Sequence, residues 1–98
     1  MDNKKGNPRK EAALVQLSKE FTGNSAKEQC ARFLQALSRF KINSFEASRY
    51  LNIYYPPARA FELRKQGHLI DTVWEKVEAE NGILHRVGCY VLRGGRHE

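Results

Sequence analysis

The chain has 98 residues, of which 41% are hydrophobic, so it can bury one small core but hardly two. Two cysteines are too few for a disulfide scaffold, and no apolar run approaches a membrane span, so we expect a cytoplasmic protein in a reducing compartment. The net charge of +6 favours a polyanionic partner over a neutral one.

The amino-terminal segment, residues 1–10, is polar and has an excess of positive charge. This composition predicts a flexible basic arm. Its cations are candidate contacts along a nucleic-acid backbone, with a solvated tail as the alternative. They are Lys4, Lys5, Arg9 and Lys10.

Residues 11–23 are expected to form an amphipathic helix and its break, and Asn7 with Pro8 could cap the start of that helix. Its apolar stripe consists of Leu14, Leu17 and Phe21. This stripe is a candidate dimer surface. The alternative is that it packs on the core of its own domain.

Two capping boxes mark the next two helices. Ser25 followed by Glu28 opens a helix that runs to about Arg39, and Asn43 followed by Glu46 opens a shorter one. Helical spacing predicts an inward face on each. These faces consist of Cys30, Phe33, Leu34 and Leu37 in the first and of Ala47, Tyr50 and Leu51 in the second.

A tight turn and a third helix follow. Asn52 tolerates the left-handed conformation that a tight turn requires. Pro56 and Pro57 suit the first turn of a helix that runs to a stop at Gly67. Spacing by 100° puts Pro56, Ala60 and Leu63 on one side. If that side packs on the first capped helix, Phe61 points outward.

Beyond Gly67 the pattern becomes β-like. Ile70, Thr72 and Trp74 share one face, and Leu84, Tyr90 and Leu92 have the same parity on the return. Asn81 and Gly82 between the two runs indicate a hairpin. We therefore expect one domain over residues 24–92 and a flexible tail over 93–98.

The segments "INSFEASRYLNI" and "PPARAFELRKQGHLIDT", with "YVL" near the end, resemble the small winged helix-turn-helix domain family of bacteria and phages. The resemblance implies a mainly α fold with a β-hairpin (α+β): three core helices and a wing, here with an additional N-terminal helix. Asn52 replaces the usual turn glycine. The wing tip is the second departure. Many winged helices place a cation on phosphate there, whereas this tip has Glu78 and Glu80, which a phosphate backbone would repel.

The family's fold implies that the third helix enters the major groove and that the second crosses the backbone. In this hypothesis Phe61 contacts a thymine methyl group, while Arg59, Arg64 and Lys65 contact phosphates or guanine edges. The full set of candidate DNA-binding residues is Lys41, Arg49, Tyr54, Tyr55, Pro57, Ala58, Arg59, Phe61, Glu62, Arg64 and Lys65.

Two other interpretations stay open. The third helix could be rotated so that Phe61 enters the core and its charges are only solvated. Alternatively, Phe61 with Tyr54 and Tyr55 could anchor another protein, because aromatic side chains are enriched at interface hot spots.

Nothing in the sequence indicates an enzyme, a cofactor or a metal site. His68, His85 and His97 are far apart, without the spacing of a metal-ligand motif. No glycine-rich loop follows a strand, and a small-molecule substrate is not expected.

The sequence thus predicts a sequence-specific double-stranded DNA-binding protein, a small transcriptional regulator of a phage or mobile element. One domain this small would need a homodimer or a partner protein for useful specificity. The alternative function is a winged-helix protein-binding module, such as a phage-borne inhibitor of a host nucleic-acid machine, for example a CRISPR effector.

Overall fold

A computed structural model describes residues 7–95, and the predictions for Lys4, Lys5 and the last three residues lie outside this range. Four helices and an antiparallel sheet confirm the predicted α+β class. The elements are α1 (Pro8–Glu20), α2 (Ala26–Leu37), β1 (Ile42–Asn43), α3 (Ser44–Arg49), α4 (Pro56–Lys65), β2 (Ile70–Glu78) and β3 (Leu84–Leu92).

Helix α1 begins at Pro8, three residues earlier than the predicted boundary between arm and helix. The Asn7 side chain accepts hydrogen bonds from the backbone N–H groups of Arg9 and Lys10, which caps the helix at this point. Residues 8–10 therefore belong to the first helical turn and not to a flexible arm.

The apolar stripe of α1 packs on its own domain, as the alternative interpretation expected, and Leu14 is therefore not available as part of a dimer surface. Leu14 is completely buried in the core, and Leu17 packs against the same core. Phe21 is half-buried at the carboxyl end of the helix. A side chain without accessible surface cannot contact a second copy.

Both predicted capping boxes are formed. Ser25 Oγ accepts from the Glu28 N–H at 3.1 Å, and Asn43 Oδ1 accepts from the Glu46 N–H at 2.8 Å. The second box fixes the start of α3, which buries Ala47 and is followed by fully buried Leu51. On α2, Cys30, Phe33 and Leu37 are buried, and Leu34 and Tyr50 are partly buried against the same core, which confirms the predicted inward faces.

Arg32 on α2 is a charged residue in the centre of the fold, only 1% exposed. Its guanidinium donates to four backbone carbonyls: those of Phe21 (2.9 Å), Gly23 (2.5 Å), Leu51 (2.8 Å) and Asn52 (2.6 Å). Burial lowers its pKa from the ordinary value. One side chain thus joins the loop after α1 to the turn after α3.

The sheet has the strand order β1-β3-β2. The pairing of Ile70 with Leu92 and of Thr72 with Tyr90 confirms the predicted parity of the hairpin. The two-residue strand β1 was not predicted; it pairs Ile42 with Tyr90. Tyr90 meets Phe33 of α2 edge to face at a centroid separation of 5.7 Å, which attaches the sheet to the helices.

Within the described residues, no helix is long and apolar enough to cross a membrane.

Candidate nucleic-acid interface

The orientation of α4 decides which of its side chains a partner can reach. Pro56, Ala60 and Leu63 are its buried residues, and the helix packs on α2. Phe61 is 60% exposed on the opposite side. The predicted outward position of Phe61 is confirmed, and the rotated helix with Phe61 in the core is wrong.

The turn before α4 is held by backbone geometry and by α2. Asn52 has a φ of 60°, the left-handed conformation predicted for it. The Ile53 N–H donates to the Ala47 carbonyl at 3.0 Å, and the Tyr54 N–H donates to Oε1 of buried Gln29 at 3.0 Å. Because both bonds fix the backbone, α4 is presented to a partner as a rigid element.

Three large aromatic side chains are exposed around the start and the outer face of this helix. Tyr54 and Tyr55 project from the turn, and Phe61 lies one and a half turns along α4. The Lys65 ammonium lies 5.5 Å from the centroid of the Phe61 ring, a cation–π contact on the surface. These residues, with exposed Pro57 and half-buried Ala58, form the outward face of α4.

The arginines proposed to contact DNA all have partners within the chain. Arg59 Nη2 donates to Glu62 Oε2 at 3.0 Å. Arg64 donates to the Ile70 carbonyl at 2.8 Å and to Thr72 Oγ1 at 2.9 Å. Arg49 Nη2 lies 3.3 Å from Glu80 Oε2, and both side chains are exposed to solvent. A phosphate would therefore have to compete with existing contacts at each of these side chains.

Arg59 is the most enclosed of them, with a side chain only 16% exposed. Its Nε lies 2.9 Å from Glu62 Oε1, although the N–H is not aligned for a hydrogen bond. The same carboxylate oxygen accepts from the thiol of Cys30 at 3.3 Å. Burial, and then this hydrogen bond, raise the pKa of Cys30 to about 11. The thiol is protonated at neutral pH and is not a nucleophile.

The β2–β3 hairpin extends past the helices as a wing. Trp74 pairs with Gly88 and is 57% exposed, with the Arg86 guanidinium 4.6 Å from its ring centroid. The pattern predicted the face of Trp74 correctly but gave no sign of its exposure or of its contact with Arg86.

A family model described as a winged helix-turn-helix domain matches residues 28–94. The chain belongs to the winged helix-turn-helix family. No curated protein and no solved structure matched the chain. The family fold supports a DNA-binding role in general, and in this winged helix-turn-helix domain α3 and α4 are the two helices of the motif.

The predicted acidity of the wing is distributed unequally over its surface. Glu80 at the tip is the partner of Arg49, and Glu75 accepts from Asn43 Nδ2 at 2.9 Å. Lys76 and Arg86 lie directly opposite each other on the other face of the hairpin. The wing of this winged helix-turn-helix protein thus has a basic pair on the face of Trp74, with Glu78 on the same face nearer the tip.

Two other predicted cations are outside the α4 face. Lys10 forms an ion pair with Glu46 at 2.9 Å, and both side chains are largely buried, so Lys10 does not belong to a free arm. Lys41 is exposed immediately before β1. Neither Lys10 nor Lys41 is close to Phe61 in the sequence, and neither takes part in the contacts of the α4 face described above.

In the part of the chain from residue 7 to residue 95, no group of three or more His, Cys, Asp or Glu side chains is placed to hold a metal ion.

Proposed function

We propose that this winged helix-turn-helix protein binds double-stranded DNA in a sequence-specific manner through α4 and acts as a small transcriptional regulator. The observation that carries the proposal is the outward position of Phe61 and Lys65 on a helix whose opposite side is buried. An α-helix fits the major groove, and an apolar side chain there can contact the thymine methyl group.

The exposed side chains suggest separate roles. Lys65 supplies a cation beside Phe61 for a phosphate or a guanine edge. The hydroxyl groups of Tyr54 and Tyr55 can donate to phosphates next to the helix start. Arg64, already bonded to the β2 backbone, is suited to hold the helix against the wing while a remaining N–H contacts DNA.

Association with a phage or mobile element is part of this proposal and rests on the resemblance of the two quoted segments to domains of that origin. A cytoplasmic location belongs to the same proposal. Whether the protein represses or activates would depend on the position of its DNA site, which the chain does not encode.

A second candidate function is a protein-binding module, for example an inhibitor of a host nucleic-acid machine. The observation that favours it is the pairing of Arg49, Arg59 and Arg64 with groups of the same chain, which leaves a surface dominated by aromatic rings. Tyrosine and arginine are enriched among residues that contribute most to protein interfaces.

Selection of duplexes from a random pool tests the first function. The wild type should enrich a defined sequence, while Phe61→Ala should lose the preference at one or two positions and retain salt-dependent binding. Lys65→Ala should weaken binding to all duplexes. If no sequence is enriched and a nuclease-resistant protein complex is lost on Phe61→Ala, the second function is correct instead.

A further inference from the structure

The outer edge of β2 has no strand beside it among residues 7–95, because β2 is the last strand of the order β1-β3-β2. It is nine residues long. An edge of this length exposes a row of unpaired N–H and C=O groups and is a template for pairing with another strand. Proteins commonly protect such edges from pairing with other chains, so the exposure of this edge requires an explanation.

The hydrogen bonds of the hairpin show which residues face that edge. The Arg93 N–H donates to the Leu69 carbonyl, and the Ala79 N–H donates to the Ile83 carbonyl. Since the pattern alternates along an antiparallel pair, odd-numbered residues of β2 bond to β3 and even-numbered residues point outward. The outward carbonyl of Ile70 is already occupied by Arg64. Thr72, Trp74, Lys76 and Glu78 therefore remain available.

The charges and the length of β2 together favour one way to pair this edge with a second copy of itself. An axis at Val77 would oppose Lys76 to Glu78, but only these two outward-facing residues could then pair within the strand. A two-fold axis at Val73 would place Asp71 against Glu75, and an axis at Glu75 or Lys76 would place identical charges together. An axis at Thr72 would require the carbonyl of Ile70, which Arg64 occupies.

An axis at Trp74 brings no like charges together, and only its terminal pair, Ile70 with Glu78, involves the carbonyl that Arg64 occupies. It opposes Trp74 to Trp74, Thr72 to Lys76 and Val73 to Glu75, and it forms about six backbone hydrogen bonds between the two strands. Trp74 and Val73 are both exposed apolar side chains in the single chain. Each would be covered in the pair, the first by its own symmetry mate.

We propose that two copies of the chain associate through antiparallel pairing of their β2 edges, centred on Trp74. Opposed residues of antiparallel strands project from the same face of the sheet, so the two-fold axis is perpendicular to that sheet. Both α4 helices then lie on one side of the joined sheets, as two DNA half-sites require. This association uses a different surface from the stripe predicted on α1 and does not depend on the proposed function.

Cysteine cross-linking tests the register. Val73 and Glu75 would face each other in a pair without mutual hydrogen bonds, with Cα atoms about 4.5 Å apart, a separation suited to a disulfide. Val73→Cys and Glu75→Cys proteins with tags of different size are mixed and oxidised without DNA. Cys89 lies directly opposite Val73 in the hairpin and could capture the new thiol, so both variants are made in a Cys89→Ala background. The wild-type and Cys89→Ala proteins are the controls, and the remaining native Cys30 is buried.

The expected result is a predominance of the mixed dimer over either self-linked dimer. Self-linking of Val73→Cys alone or of Glu75→Cys alone would indicate another register and overturn the proposal. The absence of any cross-link above the wild-type level would overturn it as well, whether the edge is free or accepts a different partner.

Proline substitution tests backbone pairing without a new thiol. Lys76→Pro removes an outward N–H and no bond to β3, so the hairpin should remain folded. Light scattering should show the wild type at twice the mass of the 11.3 kDa chain and Lys76→Pro at the monomer mass. Lys76→Thr, which retains the N–H, should remain dimeric. Equal masses for all three proteins would contradict the proposal.

Discussion

Arg32 joins the first part of the chain to the helix-turn-helix, and we expect its replacement by methionine to be among the most destabilising substitutions in this protein. Methionine retains an unbranched side chain and removes the four hydrogen bonds to the carbonyls of Phe21, Gly23, Leu51 and Asn52. Those carbonyls lose their charged donor at the point where two loops meet α2.

The size of the effect follows from the surroundings of these bonds. A hydrogen bond to a charged group contributes about 1.5–3 kcal/mol, and a buried acceptor left without a donor costs about 1–3 kcal/mol. The bond to Leu51 is fully buried, whereas water can reach the other three carbonyls after the substitution. Removing a desolvated cation offsets part of the loss.

We therefore expect the free energy of unfolding to fall by about 2–4 kcal/mol, against about 5–15 kcal/mol for a typical domain. Urea denaturation followed by far-ultraviolet circular dichroism measures the change. Lys27→Met is the matched control, because Lys27 is exposed on the same helix. Arg32→Lys should regain only a small part of the loss, since an ammonium cannot reproduce the planar fork. An Arg32→Met protein as stable as Lys27→Met would refute this reasoning.

Substitutions at three further positions test other parts of the account. Asn52→Val should destabilise the protein by about 1–2 kcal/mol, because a β-branched residue resists the left-handed conformation, while Asn52→Gly should be nearly neutral in the same urea assay. Ser25→Ala should cost about 1 kcal/mol through loss of the capping box, and an unchanged urea midpoint would contradict it. The pKa of Cys30 rises from 9.0 to about 11 on folding, so its stabilisation is complete below pH 9 and disappears as the pH approaches 11. The free energy of unfolding of Cys30→Ala should therefore fall less than that of the wild type between pH 9 and pH 11. Equal decreases in the two proteins would contradict this effect.

Most of the helical framework could be predicted because its signals are local. Both capping boxes, the turn at Asn52 and the outward position of Phe61 depend on residues within a few positions of each other. The polar composition of residues 1–10 puts the start of α1 three residues late, because the Asn7 cap sets the first turn at Pro8.

Contacts between distant parts of the chain could not be predicted. From the sequence alone, Arg32 would be interpreted as another surface cation on a capped helix. Only the fold shows that carbonyls up to 20 residues away converge on its guanidinium. The sequence does not reveal the partners of Arg49, Arg59 and Arg64 either. It therefore overestimates the number of cations that are free to contact DNA. The completely buried side chain of Leu14 likewise depends on how α1 folds back onto the core.

The central claim, that the outward face of α4 binds double-stranded DNA, is tested most directly by the salt dependence of duplex binding in wild-type, Lys65→Ala and Lys27→Ala proteins. Fluorescence anisotropy with a labelled duplex gives the slope of log affinity against log salt concentration. We predict a steep slope for the wild type, a slope smaller by about one for Lys65→Ala, and an unchanged slope for Lys27→Ala. A shallow slope in the wild type, or equal slopes in all three proteins, would contradict the claim.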